Sequence, residues 1–539
     1  MSSSHSSDSA KKIFVRDATG LLKEISALQA LSAALWGIGI MYVFSAVIYG
    51  PSAYPSANPL VIPISGFLLS LPVAALYTMM TIAMPRSGGD YVWVSRVTHP
   101  SIGFMTNFAL TLTFLAFPGA GAALLTEWGL SEWMYDLGKI YNNNQAYLNL
   151  ASYLQTQTPV FWIGVLELAI AGAIAIASTK IALRILVVSS VISIVIIAIF
   201  VVVALSAGQS TFASNFNSLS GANYDQIVTA GQNAGSYNGV PAFFSAASLL
   251  AGAASLTGYT GFNFPAYFAG EVRYNRKSQI ISQIGSTIIF FVIFLVVTVV
   301  WYFGEGPSFA NAMSVLWGSG SSQYPYINAP VVTGMSMFWT PNAVLVSIFN
   351  FGFVFGIVIT VVGQIFALSR NLFAWSFDRV MPATLASVND RTHSPIHATI
   401  VMVLIAIVFE YFTVYEATIL SVFFSYSIAG LFIVYLIVSI IAVIYPFRRK
   451  DIFDNTDPLA RRKIGGFPVI SLLGILSIIA CVITIYGIAV PVISGFIPIF
   501  FEGILPTFVI GFVIYWLAWA IRRRQGINLA LIHGELPPE

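Results

Sequence analysis

The chain has 539 residues, 57% of them hydrophobic and only 8% charged, with a mean hydropathy of +0.84. Soluble domains carry about 25% charged residues, so this composition excludes a water-covered globule and makes the bilayer the expected solvent. A net charge of +3, with no basic run interleaved with aromatics, leaves a nucleic-acid partner without support.

Residues 1–24 open with MSSSHSSDSA, a polar tail without the apolar core of a secretory signal. A membrane-crossing helix needs roughly 20 apolar residues. Twelve runs meet that length, near 25–49, 61–84, 101–126, 159–178, 183–206, 242–270, 279–303, 342–374, 396–413, 416–445, 468–492 and 498–521. With both termini cytoplasmic, 23 of the 24 Lys and Arg fall on the inner side and only Lys139 falls outside. One miscounted span would destroy that separation. The expected localisation is therefore a multi-pass protein of the cell membrane.

The expected organisation is a cytoplasmic tail (1–24), a ten-span core (25–445), a charged cytoplasmic linker (446–467), two further spans (468–521) and a second tail (522–539). The outer loops 206–241 and 304–341 contain no Lys or Arg. They read either as lids over an outer vestibule or as solvated connectors.

Two spans carry interruptions. The sixth contains GYTGFNFPAYFAGE, Gly258 to Glu271, with Gly258 and Gly261 around Tyr259-Thr260 and with Pro265 behind them. Proline removes one helical hydrogen bond, and an interrupted backbone in hydrocarbon must meet protein, water, an ion or a ligand. A break near 257–262 is expected, with an inner half-helix starting near Asn263. The first span contains Gly37-Ile38-Gly39 at mid-depth. Spans one and six each open a set of five, and five being odd, the second set is inverted. Paired breaks in inverted halves point to a substrate site at the midplane. Half-helix N-termini favour a carboxylate and C-termini an ammonium group, so an α-amino acid fits two adjacent breaks. Ordinary small-residue helix packing is the competing reading of these glycines.

Several stretches, in order, carry a resemblance. Met84-Pro85-Arg86-Ser87-Gly88-Gly89-Asp90-Tyr91 is similar to the Pro-Ser-Gly-Gly-Tyr signature after span two of the amino acid–polyamine–organocation (APC) transporter superfamily. SRNLFAWSFDRVMP from Ser369 to Pro382, Ser394-Pro395, Tyr259-Thr260-Gly261-Phe262 and Ala269-Gly270-Glu271 resemble its later segments. The resemblance implies an all-α membrane fold: a five-plus-five inverted repeat like that of neurotransmitter symporters, here followed by two extra helices. It also implies secondary transport of amino acids by alternating access, without enzymatic chemistry or a cofactor.

The resemblance places substrate on Trp36, Gly37, Ile38 and Gly39 and on Gly258, Tyr259, Thr260 and Gly261, through main chain, with Phe262 or Tyr259 as an aromatic gate. Many members have glutamate where this chain has Asn263. Some proton-coupled members carry a lysine in span five, where this chain offers only Ser189, Ser190 and Ser193. Thr360 and Gln364, one turn apart, are the candidates for a sodium site, so proton and sodium both stay open as coupling ions. Glu271 is a candidate cytoplasmic gate residue with Arg86, Arg96 or Arg370, and a local surface pair with Arg273 is the alternative. Glu167, about 12 Å below the outer surface at 1.5 Å per residue, reads as functional or as a group reaching the vestibule. Glu410 reads as solvent-exposed near a turn. The alternatives to an amino acid permease are a polyamine or organic-cation permease and a non-transporting membrane sensor.

Overall fold

The computed structural model describes residues 23–255, 259–389, 391–489 and 500–533. The described chain is almost wholly helical. The first half runs α1 (Ala27–Ile38), α2 (Val43–Ala53), α3 (Ile62–Ala83), α4 (Asp90–Val97), α5 (Pro100–Ala123), α6 (Glu132–Ile140), α7 (Gln145–Leu154), α8 (Gln157–Ala177), α9 (Thr179–Leu219) and α10 (Tyr224–Gly235). Then follow α11 (Ala246–Ala254), α12 (Phe264–Tyr267), α13 (Asn275–Gln279), α14 (Gly285–Glu305), α15 (Pro307–Gly318), α16 (Ser336–Trp339) and α17 (Ala343–Phe377). The chain closes with α18 (Ile396–Tyr415), α19 (Ala417–Arg448), α20 (Lys450–Phe453), α21 (Val469–Ala489), α22 (Leu505–Arg524) and α23 (Leu529–Ile532).

Ten described helical stretches are long and apolar enough to cross a membrane, and α1 with α2 makes an eleventh if that pair, bent by 41°, is one span. Their outward faces are apolar. On α9, Val188, Val191, Val195 and Val202 are all more than half exposed, as befits side chains solvated by lipid. Of the twelve expected runs, 242–270 alone matches none of these stretches. Its described part is α11, a turn through Tyr259–Asn263, the four-residue α12 and one 3₁₀ turn, Ala269–Glu271.

One expectation, that of the outer loops, changes with packing. Loops 206–241 and 304–341 fold largely into helices and pack on each other. Tyr224 stacks on Phe309 at 4.4 Å, and Gly231 lies so close to Ala312 that a methyl group there would come within 2.3 Å of the alanine Cβ. The linker 446–467 is ordered too: α20 leads to an antiparallel pair, β1 (Lys463–Ile464) and β2 (Phe467–Pro468), turned by Gly465 and Gly466 at positive φ.

Candidate functional site

The first break is a local consequence of glycine. Gly39 ends α1 in the left-handed region (φ 78°), and its N–H donates to the Leu35 carbonyl. One 3₁₀ turn, Ile40–Tyr42, then restarts the chain as α2. Such a turn costs a side-chain-bearing residue about 1–2 kcal/mol and glycine almost nothing. In the sixth segment Gly261 also has positive φ (97°), and α12 begins three residues on with Pro265 in its first turn, where a missing N–H does no harm. Leu256, Thr257 and Gly258 lie outside the described residues, so the expected substrate contact at Gly258 does too.

The two breaks touch. A methyl group on Gly37 would sit 2.5 Å from the Gly261 carbonyl oxygen, and one on Gly261 would sit 2.1 Å from the Gly37 carbonyl oxygen. Main chain meets main chain here, which is possible only for glycine. Trp36 and Ile38 are buried beside this crossing; the Trp36 indole donates to the Leu186 carbonyl of α9 at 2.8 Å.

The aromatic pair of the sixth segment divides. The Tyr259 hydroxyl donates to the Pro63 carbonyl (2.8 Å), and its ring packs on Phe290 and against Gly66, between α3 and α14. Phe262 packs on Tyr77 and Tyr435 instead. Thr260 is buried. The Asn263 side-chain amide donates to the Tyr267 hydroxyl (2.6 Å), and its oxygen accepts from Tyr435 (3.2 Å).

The ion-coupling candidates are buried on α9 and α17. Ser190 donates to the Leu186 carbonyl and Thr360 to the Gly356 carbonyl, both within their own helices. Ser193 Oγ and Gln364 Oε1 are buried with no hydrogen-bond partner among the described residues, and Ser189 is buried one turn before Ser193 on α9. Met41, just past the first break, fills the hollow left by Gly352 and Gly356 on α17.

The gate candidates lie among buried ion pairs. Glu271 and Arg370 form a two-pronged pair, Nε to Oε1 at 3.0 Å and Nη2 to Oε2 at 3.3 Å, with both side chains at most 2% exposed. Arg370 also donates to Thr179 at the start of α9 and lies 3.8 Å over the Phe366 ring. Arg273 donates to the Lys23 carbonyl. Ile25 pairs with Val272, tying the start of α1 to the end of the sixth segment. Arg96 pairs with Asp378 at 2.7 Å. Arg86 lines a separate cavity of about 970 Å³ with Tyr274, Arg276 and Lys277. Of the four gate candidates, the structure thus joins Glu271 to Arg370 and sends Arg96 and Arg86 elsewhere.

One carboxyl group, Glu410, differs from expectation, and Glu167 is buried with it. Glu167 and Glu410 are 2% and 0% exposed, and neither has a hydrogen-bond partner among the described residues. Glu410 is covered by α8: a methyl group on Gly164 would lie 2.0 Å from its Oε1. The turn beyond α18 is near in sequence, but the neighbouring helix excludes solvent.

The sequence profile of the amino acid permease family matches residues 28–520. The chain belongs to this family, within the APC superfamily. The permease is 25% identical over 409 residues to a branched-chain amino acid permease of Lactococcus lactis subsp. cremoris, covering 75% of this chain and 76% of that one. It is a multi-pass membrane transporter of amino acids, not an enzyme. Sequence reasoning left Asp90, Tyr267 and Asp378 of this permease without a role. All three stand inside stretches quoted above, Asp90 directly after Gly88-Gly89, Tyr267 in the interrupted sixth segment and Asp378 between Ser369 and Pro382, but none of these stretches signals the partner each side chain meets.

Proposed function

We propose that the permease moves branched-chain amino acids across the cell membrane by alternating access, holding the substrate on the broken backbones of its first and sixth spans. The observation that carries this reading is the contact of Gly37 with Gly261, which sets two helix interruptions against each other inside the bundle. Free N–H groups and the positive end of a half-helix suit the carboxylate, and free carbonyls suit the ammonium group. The first-span interruption, Trp36–Gly39, takes the carboxylate; Tyr259, Thr260 and Gly261, with undescribed Gly258, take the amine. The branched aliphatic preference follows the relative, a branched-chain permease, and suits the apolar wall of Phe262, Phe264 and Phe114 beside the crossing.

In this reading the chain has twelve spans, a five-plus-five inverted core over 25–445, two additional helices, and cytoplasmic termini. The arginine-rich face is cytoplasmic, and Glu271–Arg370 closes it. Polyamine transport fits less well, because no carboxylate lies within either break. A sensor that binds without moving its ligand is separated by flux. Purified permease in proteoliposomes is expected to exchange labelled leucine, isoleucine and valine, with competition by these three exceeding that by lysine or putrescine. Binding without flux, or putrescine as the best competitor, would overturn the reading.

A further inference from the structure

Asp90 is the hub of a buried polar cluster that joins the permease's helices to the residue after the sixth-span break. It is 0% exposed at the start of α4, outside the spanning helices. Its Oδ2 accepts from the Tyr77 hydroxyl of α3 (3.1 Å) and the Tyr267 hydroxyl of α12 (3.3 Å), and its Oδ1 accepts from Asn107 of α5 (2.5 Å). Asn107 in turn accepts from the Trp375 indole of α17 at 2.7 Å. The glycine motif makes this possible. Gly88 N–H donates to the Tyr267 carbonyl at 2.9 Å, and a methyl group on Gly89 would lie 2.9 Å from the Tyr267 ring.

Every donor to this carboxylate is neutral. No Lys, Arg or His lies within ion-pair distance of it among the described residues. The titratable groups facing it are Tyr77 from α3, Tyr267 from α12 and Tyr435 from α19; α5 and α17 present only Asn107 and Trp375. The charges nearest along α4, Arg96 with Asp378 and His533, are gathered around Tyr91. Burial pushes the Asp90 carboxyl up to about 6, against the pull of its three side-chain donors and the Tyr91 backbone N–H.

We propose that Asp90 is the binding site of the coupling proton, and that its protonation is transmitted to the sixth-span break through Tyr267 and Asn263. The proposal rests on the transport reading above. A hydronium ion from the aqueous side gives its proton to Oδ2: one O–H bond breaks in the donor, one forms at Oδ2, and a water molecule is left. Oδ2 then becomes a donor where it had accepted from two tyrosines. Where that donor bond goes to Tyr267, the Tyr267 hydroxyl reverses, and it already receives the Asn263 amide at 2.6 Å. A reversed Tyr267 donates toward Asn263, whose amide must turn and give up its bond from Tyr435. Protonation is thereby read two residues from Gly261.

The test uses full-length permease in proteoliposomes with labelled L-leucine. Three quantities are read: counterflow without a gradient, accumulation driven by an inward proton gradient, and leucine-induced alkalinisation outside. Wild type is expected to give all three. Asp90→Asn is expected to lower the ratio of accumulation to counterflow by about tenfold or more, Tyr267→Phe to lower it by less, and Asp90→Glu to restore part of it. An unchanged ratio in Asp90→Asn and Tyr267→Phe would overturn the proposal. So would wild-type counterflow without proton movement, or proton coupling lost in Glu167→Gln or Glu410→Gln while Asp90→Asn keeps it. Absence of wild-type counterflow removes the transport reading itself and the proposal with it. If Asp90→Asn does not fold, wild-type proton movement and the Tyr267→Phe ratio decide.

Discussion

Gly37 and Gly261 face each other so closely that neither tolerates a Cβ: the added carbon would stand 2.5 Å and 2.1 Å, respectively, from the other residue's carbonyl oxygen. Real Cβ contacts do not reach such distances, and both obstacles are main chain. Gly261→Ala adds the cost of positive φ, about 1–2 kcal/mol. We expect it to abolish leucine uptake while the protein still inserts and purifies. Wild-type uptake by Gly261→Ala would mean that the crossing is dispensable.

The Glu271–Arg370 pair predicts a different pattern. Removing one partner leaves the other buried and unmatched, a cost of about 3–5 kcal/mol. Glu271→Gln and Arg370→Gln should each lower thermal stability and open the arginine-rich face. The opening can be read by maleimide labelling of Ile25→Cys in a Cys481→Ser background, because Ile25 is buried against Val272. The double variant Glu271→Gln with Arg370→Met should regain much of the stability and none of the closure. Equal labelling and transport in all variants would remove the pair as a gate.

Asp90 gives a pH dependence of stability with a defined sign. Its carboxyl, near 6 when folded and 3.8 ordinarily, binds a proton in the folded chain over a range where the unfolded chain does not. Stability from this group is therefore present below the ordinary value and lost as pH rises through about 6, by up to about 3 kcal/mol. The wild-type melting temperature, measured relative to that of Asp90→Asn, should rise between about pH 7 and pH 5. Asp451, held low mainly by its hydrogen bonds from Arg449, acts in the opposite direction in both proteins and cancels in the comparison.

Gly164 and Glu410 predict an overpacking effect. Gly164→Ala would press a methyl group onto the Glu410 carboxyl and onto the Ala122 Cβ, 2.2 Å away. Crowding of this kind costs about 1–3 kcal/mol. Glu410→Gln keeps the volume, replaces a buried carboxyl that makes no hydrogen bond among the described residues, and should leave stability unchanged or higher. A large loss in Glu410→Gln would show that the carboxylate has a partner.

What was legible in sequence is what depends on short range. Hydropathy located the ten long spans, because lipid demands uninterrupted apolar length. The glycines at 37, 39 and 261 announced both interruptions, because positive φ and close approach are glycine's own properties. Glu271 with Arg370 was one of several possible pairs, and only the fold chooses among arginines 86, 96 and 370. Asp90 and Tyr267 stand 177 positions apart, and no local pattern announces their meeting. Glu410 looked exposed because its turn is near in sequence, while Gly164, which covers it, belongs to another helix. The outer segments looked like loops because their Ser, Asn and Gly suit loops. They fold largely as helices because Tyr224, Phe309 and Gly231 supply a tertiary face that composition does not reveal.

The most direct measurement is an experimental structure of the permease with L-leucine bound. The carboxylate is expected against the main-chain amides of Gly37–Gly39 and the ammonium group against the carbonyls of the Gly258–Gly261 turn. Leucine bound elsewhere in the bundle, with α1 and the sixth segment touching only each other, would contradict it.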